Sequence, residues 1–119
     1  MKSFNKEKGK LGEDIACKFL IENGYEILER NKNFSGVCEI DIIAKQKKTL
    51  IIVEVKTRKN RNSGSPFEAI TKSKYNHLKQ GLFLYLQTCK IKYDNYRIDA
   101  IGVTLEPKTD VKHLQNIFI

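Results

Sequence analysis

The chain has 119 residues, of which 40% are hydrophobic and 30% charged, so it is expected to form one globular domain over residues 1–119 rather than a disordered chain. Lysine and arginine number 22 against 14 aspartates and glutamates, and the resulting net charge of +8 favours a polyanionic partner. The cysteines are scattered and form no Cys-x-x-Cys pair, which argues against a zinc site. No secretory signal and no apolar run long enough to cross a bilayer are visible, so we expect a cytoplasmic protein without a membrane partner.

The first half of the chain predicts one helix followed by three strands. Apolar residues recur at helical spacing from about Lys8 to Asn23, and Gly24 suits the left-handed position that ends a helix. Shorter apolar runs separated by turn residues follow, which is typical of strands. The predicted strands span residues 25–31, 37–45 and 49–57, with turn chemistry at residues 33–36.

The second half predicts a loop, a helix and one or two strands. Residues 59–65 are polar, basic and glycine-containing, as in a loop, and Thr71 is the predicted N-cap of a helix over residues 72–88. Residues 96–105 predict a fourth strand, and a turn at Glu106-Pro107-Lys108 separates it from a last edge strand over residues 111–119. The predicted order is α-β-β-β-α-β, to which residues 111–119 can add a further C-terminal strand.

Four charged residues interrupt the apolar runs of the second and third predicted strands, namely Glu39, Asp41, Glu54 and Lys56. Charged side chains are rarely buried unless they are paired or bind a metal. A two-residue turn at Lys47-Lys48 would place Asp41 opposite Glu54 and Glu39 opposite Lys56, all on one face of a hairpin. The other face would then be one apolar layer, formed by Cys38, Ile40, Ile42, Ala44, Ile51, Val53 and Val55.

Opposed carboxylates on a hairpin predict a metal site. Like charges directly opposite each other are destabilising, so Asp41 and Glu54 require a cation between them. Mg²⁺ or Mn²⁺, hard ions that prefer oxygen ligands, would satisfy both, with the Val55 carbonyl as a further ligand. Such an ion activates water and neutralises charge on a phosphate, and Lys56 could position or deprotonate that water or stabilise the oxyanion.

Some of these residues have simpler interpretations. Glu54 and Lys56 would be an exposed ion pair if the hairpin lay at the edge of the sheet. Glu39 either contacts the metal or pairs with Lys56 and stabilises its charge. Glu13 lies at the edge of the apolar stripe of the first helix, where it either joins the carboxylates or is a favourable charge in the first helical turn.

Basic residues follow the third strand directly. Arg58, Lys59 and Arg61 flank the predicted metal site and are therefore predicted to contact phosphates. A second charged pair, Arg97 and Asp99, lies on one face of the fourth strand and is interpreted as structural.

The three acidic blocks together resemble the YraN family of small bacterial proteins, and the spacing of Asp41 and Glu54-Val-Lys56 resembles the PD-(D/E)xK signature of restriction-endonuclease-like nucleases. Family members commonly carry Gly-Gly-Glu-Ile-Asp, whereas Val37-Cys38 precede Glu39 here. The likeness extends from about Gly9 to Val103. The matching segments are Gly12-Glu13-Asp14-Ile15-Ala16, Glu39-Ile-Asp41-Ile-Ile, Val53-Glu54-Val-Lys56-Thr57-Arg58, Gly64-Ser65-Pro66, Glu68-Ala69-Ile70, Lys74 and Arg97-Ile98-Asp99.

The resemblance implies a restriction-endonuclease-like α/β fold, with a central mixed sheet flanked by helices, similar to archaeal Holliday-junction resolvases. It implies metal-ligand roles for Asp41 and Glu54, a catalytic lysine at Lys56 and a helix-borne acid at Glu13. Lys74 joins the candidates for nucleic-acid binding.

The expected function is a Mg²⁺- or Mn²⁺-dependent DNA endonuclease that cleaves by water attack, on branched or single-stranded forms. A non-catalytic nucleic-acid-binding module with the same fold is the alternative, and a purely structural interaction protein leaves the clustered acids unexplained. Because junction-cleaving relatives work as dimers, a homodimer is expected by analogy.

Overall fold

A computed structural model describes the backbone of residues 2–119 and the side chains of residues 6–119. The order α-β-β-β-α-β-β confirms the predicted α/β class and its further C-terminal strand. Two short 3₁₀ turns, Arg61–Ser63 and Pro66–Ala69, lie in the predicted loop. No helix in residues 2–119 is long and apolar enough to span a membrane. The main elements are α1 (Lys2–Glu22), β1 (Glu26–Phe34), β2 (Cys38–Gln46), β3 (Thr49–Arg58), α2 (Lys72–Thr88), β4 (Asn95–Thr104) and β5 (Asp110–Leu114).

The five strands form one sheet in the order β1-β2-β3-β4-β5. This sheet is mixed and flanked by helices, which confirms the prediction. Neighbouring strands are antiparallel except for β3 and β4, which are parallel and are joined by the α2 crossover. The central strand, β3, is covered on both faces, which explains its nearly continuous aliphatic sequence. Glu54, within the middle of β3, is therefore buried.

The β2–β3 hairpin has the predicted turn and register. Lys47 adopts the left-handed conformation, with φ of 54°, that a tight hairpin turn requires. The strands pair from Gln46 and Thr49 to Ile42 and Val53, as predicted. The described pairing ends there, one position before the carboxylates, which leaves room for side chains to take over backbone hydrogen bonds.

Most element boundaries agree with the sequence, and the differences have local causes. Helix α2 and its Thr71 N-cap are confirmed, with the Thr71 hydroxyl accepting a hydrogen bond from the Lys74 N–H at 3.1 Å. Helix α1 starts at Lys2, before the predicted residue, and the prediction missed its first turns because they are mostly polar and show no apolar stripe. Strand β1 runs into the predicted turn as far as Phe34, which pairs with Cys38, and β5 is shorter than predicted.

Two hydrophobic clusters cover the two faces of the sheet, one against α1 and one against α2. The predicted single apolar layer is therefore wrong in part, because Ile40 and Cys38 pack on the α2 side whereas Ile42 packs on the α1 side. The alternation of β2 changes at this point, opposite Asn31 of β1, whose φ is 51°. Asp41 lies at that irregularity, between two side chains that face opposite ways.

The predicted structural pair of Arg97 and Asp99 is confirmed. Asp99 is fully buried and accepts hydrogen bonds from Arg97 Nε at 2.9 Å and from the Asn116 N–H at 2.8 Å, and His113 Nε2 lies 2.8 Å from it. Burial acts to raise the pKa of Asp99, but the His113, Arg97 and Asn116 contacts together lower it below its ordinary value. These contacts hold the segment after β5 against β4, and the charge of Asp99 is paired within the network.

Candidate active site

All four predicted acids line one cavity of about 400 Å³, here called the carboxylate cavity. Four elements meet around it. Helix α1 contributes Glu13, β2 contributes Glu39 and Asp41, β3 contributes Glu54 and the residues that follow it, and α2 contributes Lys74. Residues far apart in the sequence are thus brought together where β2 and β3 stop pairing.

Asp41 and Glu54 are the centre of the cavity. Their side chains are close enough to share a hydrogen bond, which requires a proton on one of them. Asp41 Oδ2 also accepts a hydrogen bond from the Val55 N–H at 2.8 Å, which replaces the missing hairpin pairing. Glu54 is only 2% exposed, and its Oε1 is buried without a donor in the described residues. A buried carboxylate oxygen without a partner is costly, so a proton or a cation is required here.

Burial beside Glu54 changes the pKa of Asp41. Burial, followed by the repulsion and hydrogen bond from Glu54, raises the pKa of Asp41 to about 8. The Val55 N–H acts in the opposite direction but is outweighed. Asp41 therefore carries a proton over most of the neutral range in the metal-free protein, and that proton must leave for Asp41 to act as a metal ligand.

Two lysines converge on the same oxygen of Glu54. Lys56 Nζ lies 3.4 Å and Lys74 Nζ 3.5 Å from Glu54 Oε2. Lys56 is on β3 itself, whereas Lys74 is held by the Thr71-capped first turn of α2. The interpretation of Glu54 and Lys56 as an exposed pair on an edge hairpin is wrong, because β3 is the central strand and Glu54 is buried.

Glu39 lies at the exposed side of the cavity. The predicted contact between Glu39 and Lys56 is absent from residues 6–119, where Lys56 pairs with Glu54 instead. The register that predicted it stops at Ile42, and the alternation of β2 changes at Asp41, which lies between Ile42 and Glu39. Glu39 also lines a larger groove of about 920 Å³ that adjoins the carboxylate cavity.

Glu13 reaches the cavity from α1, where the sequence placed it. Burial raises the pKa of Glu13 above its ordinary value, against a hydrogen bond from Asn31 and the nearby charge of Arg30. Arg30 Nη2 lies 3.8 Å from Glu13 Oε1 and 2.8 Å from Asp14 Oδ1. Sequence reasoning missed Arg30 and Asn31, since nothing in the pattern of β1 links either residue to α1.

The approach of α1 to β3 depends on Gly12, the residue before Glu13. A Cβ at Gly12 would lie 1.8 Å from Thr57 Oγ1, whereas one at Gly9 would meet no atom within 4 Å. We expect Gly12→Ala to destabilise the fold by about 1–3 kcal/mol by overpacking. Gly9→Ala is the matched control and should be neutral or stabilising by up to about 1 kcal/mol, since alanine favours helix. Urea unfolding of both variants checks this, and equal effects would contradict the close packing.

The structure separates the four basic residues predicted to bind nucleic acid. Lys74 lines the carboxylate cavity, whereas Arg58 and Arg61 line a neighbouring cavity. Arg58 Nε donates to Thr104 Oγ1 at 2.7 Å and its Nη1 donates to the Gly64 carbonyl. Lys59 is exposed on the loop and lines neither cavity.

The donor set of the carboxylate cavity suits a hard divalent cation. Asp41 and Glu54 offer carboxylate oxygens, one of which is buried without a donor. Within the described side chains, no three His, Cys, Asp or Glu residues form a ready metal cage. Mg²⁺ is commonly held by one or two carboxylates, with water and substrate phosphate completing its coordination, so two acids are a sufficient protein contribution.

Sequence comparisons identify similar proteins over almost the whole chain. The family model described as "Uncharacterised protein family UPF0102" matches residues 12–103. A UPF0102 protein of Dictyoglomus turgidum is 41% identical over 117 residues, covering 96% of this chain and 98% of the relative. Those of Caldicellulosiruptor saccharolyticus (43% over 106 residues; 89% of each chain) and Clostridium beijerinckii (40% over 122 residues; 99% of this chain and 98% of the relative) are also similar.

Proposed function

The chain belongs to the UPF0102 family, the YraN family that its sequence blocks resemble, and from its carboxylate cavity we propose that it is a metal-dependent DNA endonuclease. The observation that carries the proposal is the buried pair of Asp41 and Glu54, with two lysines on Glu54 and an oxygen that lacks a donor. A purely structural role gives no reason to keep such a pair, because it destabilises the metal-free fold.

Each residue of the cavity has a chemical task in this proposal. Asp41 and Glu54 hold Mg²⁺ or Mn²⁺, and Glu13 assists from α1, with Glu39 nearby. The ion supplies a more acidic bound water and neutralises charge on the phosphate. Lys56 positions the attacking water or stabilises the charge of the transition state, and the ion pair with Glu54 holds its ammonium in place.

The electrostatics favour a nucleic acid as the substrate, and DNA is the form proposed here. The net charge of +8 supports attraction to a polyanion. Lys74 lies in the cavity, where it can contact the strand that is cut, and Arg58, Lys59 and Arg61 follow the end of β3. Branched or single-stranded DNA is the proposed form, and pairing of two chains through an edge strand such as β5 belongs to the same proposal.

Cleavage of a labelled DNA panel tests the proposal. The panel comprises duplex, single-stranded, flap and four-way-junction DNA, each incubated with Mg²⁺, Mn²⁺ or EDTA. Wild-type protein should give products only with metal, and Asp41→Ala and Lys56→Ala should each cleave at least about 10²-fold more slowly. Binding of the panel by folded wild-type protein that yields no products under any condition would contradict the nuclease and favour a non-catalytic binding module.

A further inference from the structure

A second cavity, of about 490 Å³, lies beside the carboxylate cavity. It is here called the arginine cavity and is lined mainly by Arg58, Arg61, Gly102, Thr104 and Lys112. Strand residues two apart face the same way, so Arg58 lies on the same face of β3 as Glu54 and Lys56. Lys56, which lines the carboxylate cavity, and Arg58, which lines the arginine cavity, are thus successive positions on one face of β3, with Cα atoms about 7 Å apart.

The guanidinium of Arg58 is held in place before any ligand arrives. Nε donates to Thr104 Oγ1 at 2.7 Å, and Nη1 donates to the Gly64 carbonyl. Neither contact engages Nη2, and no carboxylate within residues 6–119 forms an ion pair with Arg58. A fixed arginine with free N–H groups is well suited to phosphate oxygens, because little side-chain entropy is lost on binding.

The floor of the arginine cavity is built by close packing. A Cβ at Gly102 would lie 2.7 Å from Pro66 Cγ, so only glycine lets the Pro66–Ala69 turn lie against β4. Lys112 is the β5 partner of Gly102 and projects its charge beside this turn. Arg58, Arg61 and Lys112 outweigh the single acid of the lining, Asp110, which leaves the cavity positively charged.

We propose that the arginine cavity binds the phosphate next to the scissile one on the same nucleic-acid strand. The separation of Lys56 and Arg58 along β3 is close to that of neighbouring phosphates, so one strand can occupy both cavities. Only the identification of the neighbouring phosphate as the one that is cleaved rests on the proposed function. Occupancy of the arginine cavity by a backbone phosphate requires binding and not cleavage.

The test is the salt dependence of binding, measured in EDTA so that no metal-dependent cleavage occurs. Fluorescence anisotropy follows a labelled single-stranded DNA titrated with wild type, Arg61→Ala, Lys112→Ala and the double variant. Both residues are exposed, so these variants should fold. Each single variant should bind about tenfold more weakly. Each should also reduce the slope of log affinity against log salt by about 0.7, the contribution of one phosphate contact on a single strand.

Lys90→Ala is the charge-matched control, because Lys90 is exposed just after α2 and lines none of the three described cavities. The inference is overturned if Arg61→Ala and Lys112→Ala change the slope no more than this control does, or if wild type binds no DNA. Failure of the nuclease proposal would give a different result, since cleavage would be absent while Arg61→Ala and Lys112→Ala still reduced the salt slope of binding.

Discussion

Asp41→Asn is expected to lose at least about 10³-fold of metal-dependent cleavage while making the metal-free protein more stable near pH 8. The activity falls because one of the two central carboxylates is gone, and with it the negative charge that binds the ion. The stability rises because an asparagine amide can donate to Glu54 and brings no like charge beside it. A change that abolishes function and strengthens the fold is expected where a site is built from repelling charges.

The pH dependence of stability gives this variant a second signature. In wild type the folded-state pKa of Asp41 is about 8, whereas the ordinary value of the group is 3.8. The folded protein therefore holds a proton that the unfolded chain releases, so the contribution of Asp41 to the free energy of unfolding falls as pH rises from about 4 to about 8. Asp41→Asn should lack this slope and exceed wild type at pH 8 by at least about 1.4 kcal/mol, one pKa unit.

Urea unfolding at several pH values, without metal, measures this effect. Asp94→Asn is the matched control, because Asp94 is exposed and forms no ion pair in residues 6–119. It should change the free energy of unfolding by no more than about 0.5 kcal/mol. An Asp41→Asn protein that cleaves DNA as wild type does, or that is less stable at pH 8, would contradict the assigned role of the pair.

The two lysines on Glu54 should behave differently when each is removed. Lys56→Ala is expected to lower kcat by about 10²–10⁴-fold with little change in DNA affinity, because this lysine serves the water or the transition state. Lys74→Ala should act mainly on binding, raising KM or Kd about tenfold, as loss of a charge-assisted phosphate contact does. Both remove one ammonium at nearly the same distance from Glu54 Oε2, so each is the control for the other.

Single-turnover cleavage together with DNA binding in EDTA separates the two effects. Interchanged behaviour, with Lys74→Ala losing kcat and Lys56→Ala losing affinity, would assign the catalytic lysine to α2 instead of β3. Equal small losses from both would mean that the lysines only neutralise Glu54.

The hairpin that carries the site could be predicted because its signals are local. The spacing of Asp41 and Glu54 about the Lys47-Lys48 turn indicated the register, and the aliphatic run of residues 50–55 indicated the strand β3. Thr71 likewise marked the start of α2 through a hydrogen bond within its own first turn. Contacts within a few residues leave a pattern that a sequence displays directly.

The remaining features of the site depend on contacts between distant segments. Nothing local indicates that Lys74 reaches the same oxygen as Lys56, because this depends on the path of residues 59–71 across the end of the sheet. The change of alternation before Ile42 was missed for the same reason, since it accompanies the left-handed Asn31 of the neighbouring strand. Glu39 was paired with Lys56 only because regular alternation was assumed.

Calorimetric titration of Mn²⁺ into the wild-type protein and into Asp41→Asn at pH 8 tests most directly whether the Asp41–Glu54 pair is a metal site. It requires no knowledge of the DNA that is cut. We expect about one Mn²⁺ to bind per wild-type chain with release of part of a proton, because Asp41 must give up its own proton. We expect the variant to bind Mn²⁺ much more weakly. Absence of binding to wild type, or equal binding to both proteins, would contradict this expectation.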